Sequence, residues 1–362
     1  MSRAAVLAGI RAGRPIQGPS EVHVDITNGC NAACITCWDH SPLLDQARPA
    51  EWKRRRLPLP RFAALVDELA ALGSVRAFVL SGMGDPLTHP DAPAMMALVR
   101  AQGWRLTVLS NLLAADMDAI CQPVQAGPAR GQPLIDNLLV GVHGASPDVY
   151  AAFHPGWGAD HFHELTRRLR RLDRAGVQVR HVQVINRDTA PELVEMVDFG
   201  HLFRAERVNY KLASLAEGTE ATAVDAAQRR DLLARLIPAA RARALLLRVQ
   251  TNLDLFEQQV AASADGLETT DMAAVGCFMG FVYTRITVDL DVLYCCNTVA
   301  RVGSLREHGF AQLWEGQAWQ ALREQLGRGE YLPGCERCGK FEQNVAWSAR
   351  VRRDRDEAGD RS

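Results

Sequence analysis

Apolar residues at every second position mark the first regular element of the chain. Val22, Val24 and Ile26 alternate with His23, Asp25 and Thr27, the pattern of a strand half buried on one face, and Asn28-Gly29 breaks it. Residues 75–80, 104–110, 137–143, 178–185, 207–211 and 245–250 are also strand-like. Helical periodicity falls between them, at 61–72, 92–102, 114–125, 161–175, 191–203 and 225–242. Strand and helix alternating at this spacing predict parallel βαβ units and an α/β sheet or barrel, with six units before Ala244.

The rhythm then changes. It loosens between 253 and 276, which predicts a linker. Residues 282–288 and 292–294 alternate around Asp289-Leu290-Asp291 as a hairpin, closed by Cys295-Cys296. A helix is expected over 303–326, with Leu313 and Trp314 on its apolar side. The residues after Lys340 form a charged tail that buries no core and is expected to fray. The predicted organisation is a leading segment 1–20, a barrel 21–252, a linker 253–276, a small α+β domain 277–340 and a tail 341–362.

Composition narrows the class only a little. The 362 residues are 48% hydrophobic and 23% charged with a net charge of −1, so nothing points to a nucleic-acid or anionic-membrane partner. No apolar run reaches membrane-spanning length, and Arg11 and Arg14 interrupt the N-terminal stretch before a signal core forms; a cytoplasmic protein is expected. The basic run Lys53 to Arg56 reads as a solvated loop rather than a phosphate site. Nine cysteines in such a chain argue for metal rather than disulfides. Three lie in one loop and five between Cys277 and Cys338, which suggests two centres. Cys121 stands alone in a helical pattern and is read as a core thiol.

Cys30, Cys34 and Cys37 follow the first strand as C-x3-C-x2-C. Three thiolates from one tight loop can hold three corners of a cubane cluster and leave the fourth iron open; a zinc knuckle is the alternative. The strand followed by this triplet resembles the radical S-adenosylmethionine (SAM) enzymes, which implies a partial (β/α)6 barrel and a [4Fe–4S] cluster whose open iron chelates SAM. Ser81-Gly82-Met83-Gly84-Asp85-Pro86, after the second strand, is similar to the family's GGEP motif. That implies that Gly82, Met83, Gly84 and Asp85 meet the amino end of SAM, with Asp85 one methylene shorter than the usual Glu. By the same resemblance Ser110, Asn111 and Asn186, at the ends of later strands, are SAM or active-site contacts. His143 is a candidate for substrate contact, with a structural hydrogen-bonded histidine left open. Tyr210 and Lys211, at the end of a further strand, are expected to face the cavity.

Cys277, Cys295, Cys335 and Cys338, spaced C-x17-C-x39-C-x2-C, resemble the twitch domain, a shortened SPASM extension holding one auxiliary [4Fe–4S] cluster. Leu290 replaces a glycine of its usual strand. A four-cysteine zinc site is the alternative. Cys296 is spare, either a hydrogen-atom donor or a buried neighbour. The 29 residues ahead of Cys30 are expected to hold neither a cobalamin-binding nor a peptide-recognition module.

Together the resemblances imply an enzyme that reductively cleaves SAM, takes a hydrogen atom from substrate and receives electrons from a flavodoxin or ferredoxin. The expected reaction is oxidation of a small polar molecule such as a sugar or aminocyclitol. Epimerisation, peptide maturation and a non-catalytic iron–sulfur or zinc protein are the alternatives.

Overall fold

The computed structural model of the protein describes residues 3–263 and 270–359. Six expected strands form: β1 (Glu21–Val24), β2 (Ala77–Leu80), β3 (Arg105–Ser110), β4 (Asn137–Gly141), β5 (Val179–Ile185) and β6 (Arg207–Leu212). They lie side by side in chain order, each pair parallel, with helices in the connections, as a partial (β/α)6 barrel. Alternation sorts their side chains. Val22, Val24, Phe78 and Leu80 go to the helix-covered face, where Phe62 of helix Leu59–Ala71 meets Phe78 edge-on and Trp104 stacks on it, both at 5.8 Å. His23 and Asp25 are left for the inner face.

The strand expected at 245–250 is instead the end of helix Ile237–Leu247, closed by Arg248 in the left-handed region at φ 56°. A leucine run reads equally well as either element, and here Leu245 and Leu246 project into solvent at 82% and 71% exposure. The outer edge of β6 is covered more economically. A single parallel bridge joins Val208 to Thr251, with Val208 N–H on the Gln250 carbonyl at 2.9 Å, and Asn252 extends it by accepting from the Tyr210 N–H at 2.7 Å and donating to the Tyr210 carbonyl at 2.9 Å. Tyr210 and Lys211 cannot share a face. Tyr210 turns away from the cavity, packs on Phe256 and donates to the Leu193 carbonyl at 3.3 Å.

Three further expectations change. The helix expected at 114–125 shrinks to Met117–Ile120, because the chain after Cys121 turns into a loop closed by a Pro123–Pro133 bridge. The linker contains helix Leu253–Ala262, which buries Leu253, Phe256 and Val260; residues 264–269 of that stretch lie outside the described residues. The tail is helix Phe341–Gly359 with Trp347 and Val351 buried, tied to the N-terminal helix by an ion pair between Arg11 and Asp354. Among the described residues no helix is long and apolar enough to cross a membrane.

The C-terminal hairpin is not a separate sheet. β7 (Tyr283–Ile286) pairs in parallel with β1, Glu21 opposite Tyr283 and Val24 opposite Ile286. β8 (Asp291–Leu293) and β9 (Arg301–Ser304) then add antiparallel, making one nine-stranded sheet of order β6-β5-β4-β3-β2-β1-β7-β8-β9. Leu290 turns the hairpin at φ 65°, the conformation the missing glycine would have taken.

Candidate functional site

The loop leaving β1 carries Cys30, Cys34 and Cys37 and is set by short-range bonds. Thr27 Oγ1 accepts from the Gly29 N–H at 2.9 Å, and the Cys37 N–H reaches the Cys34 carbonyl at 3.0 Å. Backbone N–H groups already aim at two sulfurs, Ala32 at Cys30 and His40 at Cys37, at 3.4 and 3.3 Å. Burial, with the Asp85 charge adding to it, pushes the Cys30 thiol up to about 12, and burial lifts Cys34 well above its ordinary value. Three thiols that resist ionisation on their own become thiolates only against bound positive charge, as metal coordination supplies.

The loop 81–86 after β2 lies directly on this one, and its glycines are there for that contact. A Cβ on Gly84 would stand 2.2 Å from the Gly29 carbonyl oxygen, and one on Gly82, at φ 137°, would stand 2.1 Å from Asp25 Oδ1. The Asp85 N–H donates to the Gly29 carbonyl at 2.9 Å. His40 Nε2 completes the seam between the carbonyls of Asn28 and Met83, at 2.9 and 3.0 Å. Nothing in the sequence marked His40; only its place three residues after Cys37 could have.

Asp85 and Ser110, both expected to contact SAM, are hydrogen-bonded to each other. The buried Asp85 carboxylate accepts from Leu87 N–H (2.9 Å), Asn111 N–H (2.8 Å) and the Ser110 hydroxyl (2.9 Å), while Ser110 Oγ accepts from Leu112 N–H (2.8 Å). Shortening Glu to Asp keeps the carboxylate inside, bracing the ends of β2 and β3. Asn111 reaches Asn31, beside Cys30, at 2.8 Å. Asn186 is fully buried at the end of β5; its Oδ1 accepts from the N–H groups of Asp188 and Thr189, and its Nδ2 has no partner among the described residues. His143 follows β4 at φ 53° with its ring 4.4 Å from Phe153. Its Nδ1 accepts from Val184 N–H at 3.1 Å, and burial holds it neutral, so the proton sits on Nε2. That nitrogen lies where a Cβ on Gly141 would stand, 2.6 Å away.

All five C-terminal thiols, Cys277, Cys295, Cys296, Cys335 and Cys338, line one cavity of about 260 Å³, which Trp38, Gly82 and Met83 also line. Cys296, spare in the four-ligand count, lines this cavity too. Its sulfur faces the cavity, 3.4 Å from where a Cβ on Gly339 would be. The adjacent Cys295 sulfur, together with Lys340, Arg285 and Lys211, pulls its pKa down while Cys295 rises. Among the described residues no three His, Cys, Asp or Glu side chains converge tightly enough for a single metal ion. An all-sulfur donor set ringing a cavity can hold an iron–sulfur cluster, as it can a zinc ion.

The two cysteine sets meet at a shared seam. Trp38, next to Cys37, donates its indole N–H to the Ser214 carbonyl, and Arg337, between Cys335 and Cys338, donates to the Leu215 carbonyl at 2.8 Å and lies 5.7 Å over the Trp38 ring. Lys340 pairs with Glu21 at 2.8 Å and lies 4.0 Å over Tyr283, whose hydroxyl meets His23 Nδ1 at 2.8 Å. Cys121 is half-buried at the end of its short helix.

Residues 24–199 match the family model described as the Radical SAM superfamily, and residues 277–339 match that of SPASM, an iron–sulfur cluster-binding domain. A segment of 91 residues, 25% of the chain, is 29% identical to an S-adenosylmethionine-dependent nucleotide dehydratase of Selenomonas ruminantium and spans 29% of that relative's length. Streptococcus suis SuiB bound to S-adenosylmethionine is similar at a TM-score of 0.60 and 15% identity, over 87% of this chain and 70% of SuiB. anSMEcpe with bound AdoMet is similar at 0.64 and 13% identity, over 89% and 88%. At these identities the structural likeness is one of fold.

Proposed function

The chain belongs to the radical SAM superfamily and carries a SPASM domain, and from that premise we propose that it oxidises a small polar substrate held between its two cysteine sets. Bound at Cys30, Cys34 and Cys37, a [4Fe–4S] cluster with SAM supplies a 5′-deoxyadenosyl radical, and a cluster at Cys277, Cys295, Cys335 and Cys338 supplies an electron acceptor. The protein's own part is placement. The Gly82–Met83 backbone offers the SAM side of the cavity, and Asn186 Nδ2 and His143 Nε2–H offer donors at the same end of the barrel. Arg285, Asn297, Thr298 and Arg337 give the remaining wall polar character.

One observation carries the reading: a single cavity touches both the loop over the first cysteines and all five thiols of the second set. A substrate radical formed there is next to an acceptor, which suits loss of a hydrogen atom, an electron and a proton. The polar side chains of Arg285, Asn297, Thr298 and Arg337 on the cavity wall suit a sugar or aminocyclitol. SuiB has been solved with the precursor peptide SuiA and anSMEcpe with a Cp18Cys peptide, so peptides belong among the substrates tested. A flavodoxin or ferredoxin is the proposed reductant.

Epimerisation is the second reading, favoured by the Cys296 thiol on the cavity wall, where it could return a hydrogen atom. The test is anaerobic turnover in D2O with panels of aminocyclitols, sugars and peptides, following 5′-deoxyadenosine and product mass. Oxidation predicts a product two hydrogens lighter and turnover that survives Cys296→Ala. Deuterium at an inverted carbon, with turnover lost in Cys296→Ala, would replace oxidation by epimerisation. No 5′-deoxyadenosine under any reductant would end both.

A further inference from the structure

The basic run Lys53 to Arg56 is largely exposed, as its charge implies, yet it is not detached from the barrel. Helix Ala50–Lys53 leads into it, and the chain that follows lies against the loop leaving β1. The Arg55 carbonyl accepts from the Asn28 N–H at 3.0 Å and from Thr27 Oγ1 at 3.3 Å, and the Leu57 N–H donates to the Ile26 carbonyl at 2.8 Å. A Cβ on Gly29, the residue before Cys30, would stand 3.3 Å from the Lys53 carbonyl oxygen. Trp52, in the same short helix, has its ring 6.1 Å from that of His40, and the His40 N–H lies 3.3 Å from the Cys37 sulfur. One residue therefore separates the helix that begins the run from a thiol of the first set.

Positive charge is in excess here. Glu51 is the only carboxylate between Ala50 and Arg61. Lys53, Arg54 and Arg56 have no carboxylate partner among the described residues. Arg55 pairs with Asp289 at 2.6 Å, but Arg306 shares that carboxylate at 3.3 Å, so one anion faces two cations. In a chain of net charge −1 this is a local concentration. Charge of one sign left unneutralised on a surface attracts a partner of the other sign and raises its rate of encounter. None of Lys53 to Arg56 lines the cavity between the two cysteine sets. The run meets the first loop from solvent, so a protein can dock there without entering the cavity where substrate is proposed to bind.

Each cleavage of SAM consumes one electron, and the cavity side of the first set belongs to SAM and substrate. A carrier has to approach from another side. We propose that the run Lys53 to Arg56 is the docking site of an acidic one-electron carrier of the flavodoxin or ferredoxin class, which reduces the centre at Cys30, Cys34 and Cys37. This rests on the cluster and the protein reductant proposed above for that site. One electron leaves the reduced carrier and enters the first centre, and no atom or proton moves with it. Electron-transfer encounters are weak and small, burying less than about 1,200 Å², so a surface of a few cations beside the centre suffices.

The test uses the full chain, anaerobically reconstituted, in four forms: wild type; a charge-reversal variant carrying Lys53→Glu, Arg54→Glu and Arg56→Glu; a neutral variant carrying Lys53→Gln, Arg54→Gln and Arg56→Gln; and Arg248→Glu, at an exposed cation beyond β6. The probes are a bacterial flavodoxin and a plant-type ferredoxin. Affinity is read from the fluorescence anisotropy of each dye-labelled oxidised carrier. Formation of 5′-deoxyadenosine is followed with each reduced carrier and, separately, with dithionite. Charge reversal is expected to weaken carrier binding about tenfold or more at low salt, neutralisation by less, and Arg248→Glu not at all. The differences should vanish at about 1 M salt, where the Debye length is about 3 Å. Iron content and dithionite-driven cleavage should match wild type in every variant; if charge reversal loses iron, the neutral variant decides by the same comparison. Carrier affinity equal to wild type in the variants of the run, an equal loss in Arg248→Glu, or a wild type that cleaves SAM with dithionite yet binds neither carrier would overturn the docking site and leave the proposed oxidation standing. A wild type that does not cleave SAM even with dithionite would overturn both.

Discussion

Arg285 and Asp25 form a two-pronged ion pair across the junction of β1 and β7, with Nη2 2.8 Å from Oδ2 and Nε 3.1 and 3.0 Å from the two carboxylate oxygens. Asp25 is wholly buried, lies against Gly82 and stands five residues ahead of Cys30; Arg285 also donates to the Cys296 carbonyl at 3.3 Å. One buried pair therefore fixes the loop over the first cysteines to the hairpin that carries the second.

Removing one partner should be costly. Arg285→Met leaves an unpaired carboxylate in the interior, a change of about 3–5 kcal/mol, readable as a lower urea midpoint at neutral pH. Burial opposes ionisation of Asp25, but the charge of Arg285 and the bond from His23 outweigh it and hold the pKa below its ordinary value. A depressed carboxylate pKa gives stability that is present above the unfolded value and lost as pH falls through the folded one. The wild type should therefore lose this contribution below about pH 4. Equal midpoints for wild type and variant at pH 7 would refute the clamp.

Gly84→Ala tests the seam between the two loops. The added methyl group meets backbone rather than a flexible side chain, at 2.2 Å from the Gly29 carbonyl oxygen. Overpacking of this kind costs about 1–3 kcal/mol. SAM affinity, measured by equilibrium dialysis on the reconstituted protein, should fall at least as sharply as stability. Unchanged affinity would mean that the loop does not face SAM.

His181 makes a prediction about mild acid. It is fully buried against Phe199, neither ring nitrogen has a partner among the described residues, and burial brings its pKa down to about 3. The unfolded chain takes up a proton near pH 6.5 and the folded chain does not, so stability is full above that value and falls as pH drops toward 3. The loss at pH 5 is about 2 kcal/mol. His181→Leu should flatten urea-derived stability between pH 7 and 5 relative to wild type; parallel curves would show that His181 is not held neutral.

The cysteine sets predict an iron count. Reconstituted wild type should carry about eight irons and Cys30, Cys34, Cys37→Ala about four, with no SAM cleavage. Cys335→Ala should instead spare cleavage while abolishing product oxidation. About four irons plus one zinc in the wild type would place zinc at the C-terminal set.

What could be read along the chain was whatever neighbours in sequence determine. Strand alternation, the cysteine spacings and the glycine loop at 82–84 are local, and they located the barrel and both cysteine sets. Pairings between distant residues were not legible. Ser110 and the Asn111 N–H bind Asp85 because the ends of β2 and β3 lie side by side, which no periodicity states. Leu245 to Gln250 misled because an apolar run carries no register; only a one-residue bridge at Thr251 and the Asn252 side chain pair with β6 there. The tail misled by its charge: Trp347 and Val351 are buried on a helix whose other faces are charged.

The parallel pairing of β1 with β7 also sets the order in which the molecule can be completed. His23 waits for Tyr283, 260 residues later, before its strand has a neighbour on that side. Until the ribosome has released the hairpin, β1 is an open edge of alternating valines, the kind of template on which chains pair with one another. A chain cut before Cys277 would thus lose more than its second set of thiols. It would expose the middle of the sheet, and is expected to sediment as aggregate rather than persist as a shorter barrel.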